Sequence, residues 1–266
     1  MILISIIIPC YNHGHHLREA VHSVRNLQGV SFEIIVVNDG STEAFTIQVL
    51  SELEKEGYRV IHQPNLGLGA ARNTGIRLSK GKYILPLDSD NKIKHEYIYE
   101  SIKFLDAEIA DIVYGNPEFF GELEPYRLFK PDKFDIVTIF KDNYIDACAV
   151  YRKTVWEKNK GYETNMPFQG HEDWEFWINS FSNGFIFKYL DKKLYYYRIC
   201  GDSMIVDTRK ENRKLENQKF IIRKHLDLYI GQYVNLYQYR KFSQLEKSKP
   251  LRASLRYFLI WLGLKK

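Results

Sequence analysis

The chain has 266 residues, of which 45% are hydrophobic and 27% charged, values that exclude a wholly disordered polymer. This length approaches the limit of a single hydrophobic core, so one large domain with an appendage is expected instead of two full domains. The formal net charge is +5 and gathers after about Lys188, which suits an anionic membrane surface; without interleaved aromatics it does not suit nucleic acid.

In chain order, Ser5 to Pro9 is a continuous apolar run, as expected of a strand covered on both faces. It reads as a buried strand and not as a signal peptide, because no basic leader or cleavage site accompanies it. Leu17, Ala20, Val21, Val24 and Leu27 then recur at helical spacing. Glu33 to Asn38 is a second buried strand, closed by Asp39-Gly40, and Ser41 or Thr42 can cap the helix that carries Ile47, Leu50 and Leu53. A third strand is predicted over Tyr58 to His62, a helix over Gly69 to Ser79, and a fourth strand over Tyr83 to Leu87. A helix from about Glu96 to Leu105 and a strand over Asp111 to Tyr114 follow. This alternation implies a mainly parallel α/β sheet with right-handed crossovers, whose ligands bind at the carboxyl ends of the strands.

Past that point the pattern loosens. Glu118 to Asp142, rich in Pro, Gly, Phe and charge, reads as a long functional loop or small subdomain. A strand is expected at Ala147 to Tyr151 and helices at Lys153 to Asn159 and His171 to Phe181. Phe185 to Leu190 and Leu194 to Arg198 are expected to form a hairpin. From about Asp207 the pattern is helical and basic. The 19 tyrosines and 16 phenylalanines are read mainly as core. Three cysteines, Cys10, Cys148 and Cys200, have no paired spacing, so neither a disulfide framework nor a zinc site is readable; the count fits a reducing, cytoplasmic compartment. No run approaches the roughly 20 apolar residues of a spanning helix.

The chemistry should therefore lie just after Pro9, Asn38, His62 and Leu87. Asp39 follows the second strand, and Asp88-Ser89-Asp90 follows the fourth. Aspartates brought together at one sheet edge repel one another unless a cation lies between them. Hard oxygen donors suit Mg²⁺ or Mn²⁺, which take phosphate oxygens as further ligands. Asp-x-Asp alone is weak, since Asx turns favour aspartate at any strand-to-turn junction. Gly67-Leu68-Gly69-Ala70-Ala71 imitates a dinucleotide fingerprint, but Arg72 occupies the third glycine position, and a dehydrogenase is rejected.

Four ordered blocks carry more weight than any one of them. Ser5-Ile6-Ile7-Ile8-Pro9-Cys10-Tyr11-Asn12, Val36 to Thr42, Asn65 to Gly75 and Gly81 to Asp90 together resemble the family 2 glycosyltransferases with the GT-A fold, a Rossmann-like, mainly parallel sheet flanked by helices. The likeness is close over residues 3 to 91 and looser from His171-Glu172-Asp173 to Arg198. It implies a catalytic domain over 1–206, divided into a nucleotide-sugar-binding half (1–116) and an acceptor-binding half (117–206), with a helical basic extension over 207–266. It further implies that Pro9, Tyr11, Asp39, Arg72, Asp88 and Ser89 hold the nucleotide, that Asp90 binds Mn²⁺ or Mg²⁺, and that Asp173 is the general base with Glu172 in support. The implied donor is a nucleotide-sugar, a UDP-sugar by the Asp39 pattern, and the acceptor is a glycan or a lipid-linked precursor. Two departures stand out. Cys200 replaces a histidine that relatives carry after Tyr197-Arg198, leaving Arg198 or Ser203 as diphosphate contacts, and Asn91 replaces a frequent third aspartate.

The tail, Leu251 to Leu264, is apolar and punctuated by Lys and Arg. Two readings stay open: an interfacial helix on the inner face of the plasma membrane through residues 250–266, or a core or homodimer contact against Arg213 to Leu228. Two other functions are weighed. A sugar nucleotidyltransferase would need a glycine- and lysine-rich phosphate loop near the first strand, where the chain is instead histidine-rich. A non-catalytic nucleotide-binding module would have no need of the intact set Asp39, Asp88, Asp90 and Asp173.

Overall fold

The computed structural model describes residues 2–122, 129–199 and 212–248, with residues 250, 251, 254, 258 and 259 beyond them. The buried apolar runs form β1 (Ile4–Cys10), β2 (Phe32–Asp39), β3 (Arg59–Gln63) and β4 (Tyr83–Pro86), all parallel to their neighbours within the order β3-β2-β1-β4. Between them lie α1 (Gly14–Arg25), α2 (Ala44–Lys55) and α3 (Leu68–Leu78). Every residue of β1 is buried, which is why its sequence shows no alternation.

The sheet continues through β7 (Val150–Arg152), β6 (Ile112–Gly121), β8 (Phe187–Ile199) and the short β5 (Lys92–Ile93). β7 is antiparallel to β4 and β6, whereas β6 and β8 are parallel. The helices of this half are α4 (His95–Asp106), α5 (Ile136–Ile139), α6 (Lys153–Asn159) and α7 (Glu172–Ser182).

Two expectations are corrected. The expected hairpin over Phe185 to Arg198 is instead one long strand, Phe187–Ile199: Asp191-Lys192-Lys193 is exposed and absorbed near register shifts at Gly115/Asn116 and Asn116/Pro117. That stretch contains no glycine or proline to reverse the chain, so it bulges instead of turning. The strand expected to end at Tyr114 runs on to Gly121, because β8 supplies hydrogen-bond partners along its length.

α3 lies unusually close to the sheet. A Cβ at Gly75 would stand 2.5 Å from Cγ2 of Ile7 and 3.1 Å from Cγ2 of Val37. Gly75→Ala is therefore expected to lower stability by about 1–3 kcal/mol through overpacking, read by urea denaturation. An unchanged midpoint would show that the helix can move away from the sheet.

The chain divides into two compact units, Met1–Ile221 and Ile222–Lys266. The first extends into α8 (Arg213–Lys224), and the expected boundary at 206/207 falls among residues outside the description. The second contains α9 (Leu226–Ser248), with Ile230, Tyr233, Val234 and Tyr237 exposed. Most of the tail, 250–266, lies outside the described residues. Among the described residues no helix is long and apolar enough to cross a membrane.

Candidate active site

The carboxyl ends of β1, β2 and β4 open into a cavity of about 670 Å³. Pro9, Tyr11, Asp39, Arg72, Asp88, Ser89 and Asp90 line it from the β1–β4 half, and Glu172 and Asp173 line it from the start of α7. The residues singled out from the sequence are thus brought together, with two exceptions. Arg198 does not line the cavity, and Ser203 lies outside the described residues.

Asp39 ends β2 with its carboxylate fixed: Oδ1 accepts from Gln63 Nε2 at 2.7 Å and from Leu66 N at 2.9 Å, and Oδ2 accepts from Gly67 N at 2.9 Å. The turns on either side need positive φ, at Gly40 (70°) and Gly67 (92°), where a side chain would be strained. Three donors on one carboxylate make a rigid wall and leave lone pairs for a ligand. Tyr11, at the β1 end, is 48% exposed.

Arg72 projects from α3 and is 2% exposed. Its Nη2 lies 2.7 Å from Asp88 Oδ1, and its guanidinium stands 5.5 Å from the centre of the Tyr162 ring. Burial opposes its charge, but Asp88 first, with Tyr162, Glu172 and Asp173, holds it protonated well above the ordinary arginine range. Its Nε is buried with no hydrogen-bond partner among the described residues.

Near Arg72 several carboxyls are pushed up. Asp90 rises to about 6 through burial and the Asp88 charge, opposed by His13. Asp173 rises to about 7 through burial, with Glu172 adding and Arg72 opposing. Glu172 rises for the same first reason while accepting from Gly170 N at 2.9 Å. Burial drives His171 down to about 4, and its Nδ1 lies 2.9 Å from Asn217 Nδ2. That places His171 in the scaffold.

Arg198 serves the Asp88–Asn91 turn from outside. Its Nε donates to Asp90 O at 3.1 Å, its amide donates to Asn91 Oδ1 at 2.9 Å, and its Nη2 pairs with Glu19 at 2.9 Å. Asn91 is 2% exposed, and an amide there joins β8 to the turn without adding a buried charge.

Three residues escaped the sequence reading. His13 lines the cavity with its Nδ1 3.3 Å from Ser89 Oγ; the histidine-rich stretch after β1 was its only signal. Asp146 lines the cavity between Asp88 and Asp173, and burial with those two charges raises it to about 8. Asn143 donates from Nδ2 to Asp173 Oδ2 at 2.8 Å. The latter two lie in an aperiodic segment, where no pattern marks them.

The donors fit a hard divalent cation: Asp90 is a carboxylate whose charge is disfavoured by burial and by Asp88, and a cation would relieve both. Among the described residues no three His, Cys, Asp or Glu side chains converge as a ligand set. A Mg²⁺ or Mn²⁺ ion would complete its shell with phosphate oxygens and water.

Comparison with known proteins agrees with this architecture. Residues 5–160 match the family described as "Glycosyl transferase family 2". The chain is 30% identical over 263 residues to "Putative glycosyltransferase EpsH" of Bacillus subtilis, covering 85% of this chain and 74% of that protein. It is also 30% identical over 258 residues to "Glycosyltransferase GlyA" of Streptococcus pneumoniae, again over 85% of this chain but only 36% of GlyA. Among solved structures, S. aureus TarS 1-349 in complex with UDP-GlcNAc superposes with a TM-score of 0.63 at 22% identity, over 77% of this chain and 61% of that one, a likeness of fold. With residues 5–160, more than half of its length, matching the family model and 30% identity along most of EpsH, the chain belongs to glycosyl transferase family 2.

Proposed function

We propose that this protein is an inverting glycosyltransferase that moves a sugar from a UDP-sugar to a hydroxyl of a glycan or lipid-linked acceptor. The observation that carries the reading is the cavity itself. Asp173, with its raised carboxyl, shares that one cavity with Asp39, Arg72, Asp88 and Asp90. Tyr11 and Asp39 would receive the base, and the end of β4 would receive the ribose and diphosphate. The TarS complex with UDP-GlcNAc supports the choice of uracil on a shared fold. As the acceptor oxygen bonds to the anomeric carbon, the bond from that carbon to the diphosphate oxygen breaks, and the acceptor proton passes to Asp173. Glu172, held by Gly170 N, would orient the acceptor. A divalent ion on Asp90 would supply positive charge to the departing diphosphate.

The test is a thermal-shift and calorimetry panel of UDP, GDP, dTDP and CDP, with and without Mn²⁺, on wild type and Asp90→Ala. A nucleotide at 100 times its Kd should add about 2.7 kcal/mol of apparent stability. UDP should bind with Mn²⁺ in the wild type, and Asp90→Ala should lose the metal-dependent part. If no nucleotide stabilises the wild type, the transferase reading falls.

A further inference from the structure

Residues 139–146, between α5 and β7, are fastened to α7 at three points. Trp174 Nε1 donates to Ile139 O at 2.5 Å, and Trp177 Nε1 donates to Ile145 O at 2.9 Å. Both indoles are fully buried. They stand nearly one turn apart on the helix that carries Asp173, so they hang both ends of the segment on that helix. Between them, Asn143 Nδ2 donates to Asp173 Oδ2 at 2.8 Å. The Asn143 amide is itself oriented, because its Oδ1 accepts from Ile145 N at 3.1 Å. Asp173 Oδ1 accepts from Trp174 N at 2.8 Å.

We propose that Asn143 is the positioning residue of the general base: it fixes the Asp173 carboxylate in one orientation and favours its ionised form. The proposal rests on Asp173 being the base. Two donors, one on each oxygen, leave a defined set of lone pairs facing the cavity, and the acceptor's hydroxyl proton must be delivered there. A neutral amide donor is suited to this place: it stabilises the charged carboxylate without adding another formal charge. The other charged and titratable groups that face Asp173 are Arg72 from α3, Asp88 after β4, Asp146 from the fastened segment, and Glu172 on α7. Tyr162, before α7, and Tyr197, on β8, face it as well. Arg72 and the Trp174 amide on Oδ1 favour the ionised form, and the Asn143 donor on Oδ2 adds to them.

The decisive measurement is the titration of the Asp173 carboxyl by ¹³C NMR on Asp-labelled protein, assigned with Asp173→Asn, in wild type, Asn143→Ala and Asn143→Asp. Loss of the donor should move the Asp173 midpoint up by about one pH unit in Asn143→Ala. Asn143→Asp, isosteric but adding a like charge, should move it at least as far. UDP binding measured by calorimetry with Mn²⁺ should stay within about two-fold of wild type, and the thermal midpoint should show both variants folded. An Asp173 midpoint unchanged in folded Asn143→Ala would overturn the positioning role. A normal, low Asp173 midpoint in the wild type would instead strike the reading of Asp173 as base. The two failures are therefore distinct.

Discussion

Asp173→Asn is expected to lower sugar transfer by about 10²–10⁴-fold while leaving UDP affinity nearly unchanged. The side chain lines the cavity from the start of α7, so with Asp173 as the proposed base its loss should remove proton acceptance and spare the nucleotide. The pH dependence of the wild type follows from the same group. Burial raises the Asp173 carboxyl to about 7, and a base acts only when ionised. Activity should therefore be present above about pH 7 and fall as the pH drops through that value. The sign for stability is opposite. The folded state keeps a proton that the unfolded chain releases near pH 4, so this group's contribution to stability weakens as pH rises from about 4 to about 7. Initial rates against pH, with UDP released as the readout, check the first sign, and urea midpoints check the second. An Asp173→Asn enzyme with wild-type turnover would assign the base elsewhere.

Arg72→Met should be the most destabilising single change in the site. It removes the partner 2.7 Å from Asp88 Oδ1 and the positive charge that opposes the rise of the Asp173, Glu172 and Asp146 carboxyls. Deleting one member of a buried pair costs about 3–5 kcal/mol, and with the Asp88 side chain 30% exposed the lower end applies to the ion pair itself. For a domain of this size about 3–5 kcal/mol is a fall in Tm of about 6–20 °C. The double variant Arg72→Met with Asp88→Asn should recover a large part of the loss, because the remaining charge is then also gone. If the double variant is no more stable than the single, the cost lies in packing against Tyr162 and not in the ion pair.

Much of this protein was legible before any coordinates. β1, β2 and β4 are covered on both faces, so uninterrupted apolar runs marked them, and their ends fixed where Asp39, Asp88 and Asp90 must lie. The motif around Asp173 was legible by resemblance, and the acidic start of α7 by helix chemistry. The joining of Phe185–Leu190 to Leu194–Arg198 in one strand was not legible, since only pairing with β6 shows that the polar gap bulges. Arg198, which the departure at Cys200 offered with Ser203 as a diphosphate contact, meets Glu19 and the Asp90 carbonyl in this structure, contacts that only the fold shows.

The sequence by itself determined the doubly covered parallel sheet and the edge at which its chemistry gathers, because burial on both faces and turns at strand ends are local constraints. Only the tertiary structure decided which charges meet. Arg72 against Asp88, Asp146 beside Asp173, and the Asn143 amide on the Asp173 carboxylate all join residues 16 or more positions apart. The Asp146 and Asp173 carboxyls rise above ordinary values because the fold removes them from water together, a cooperative burial that no single stretch of sequence records.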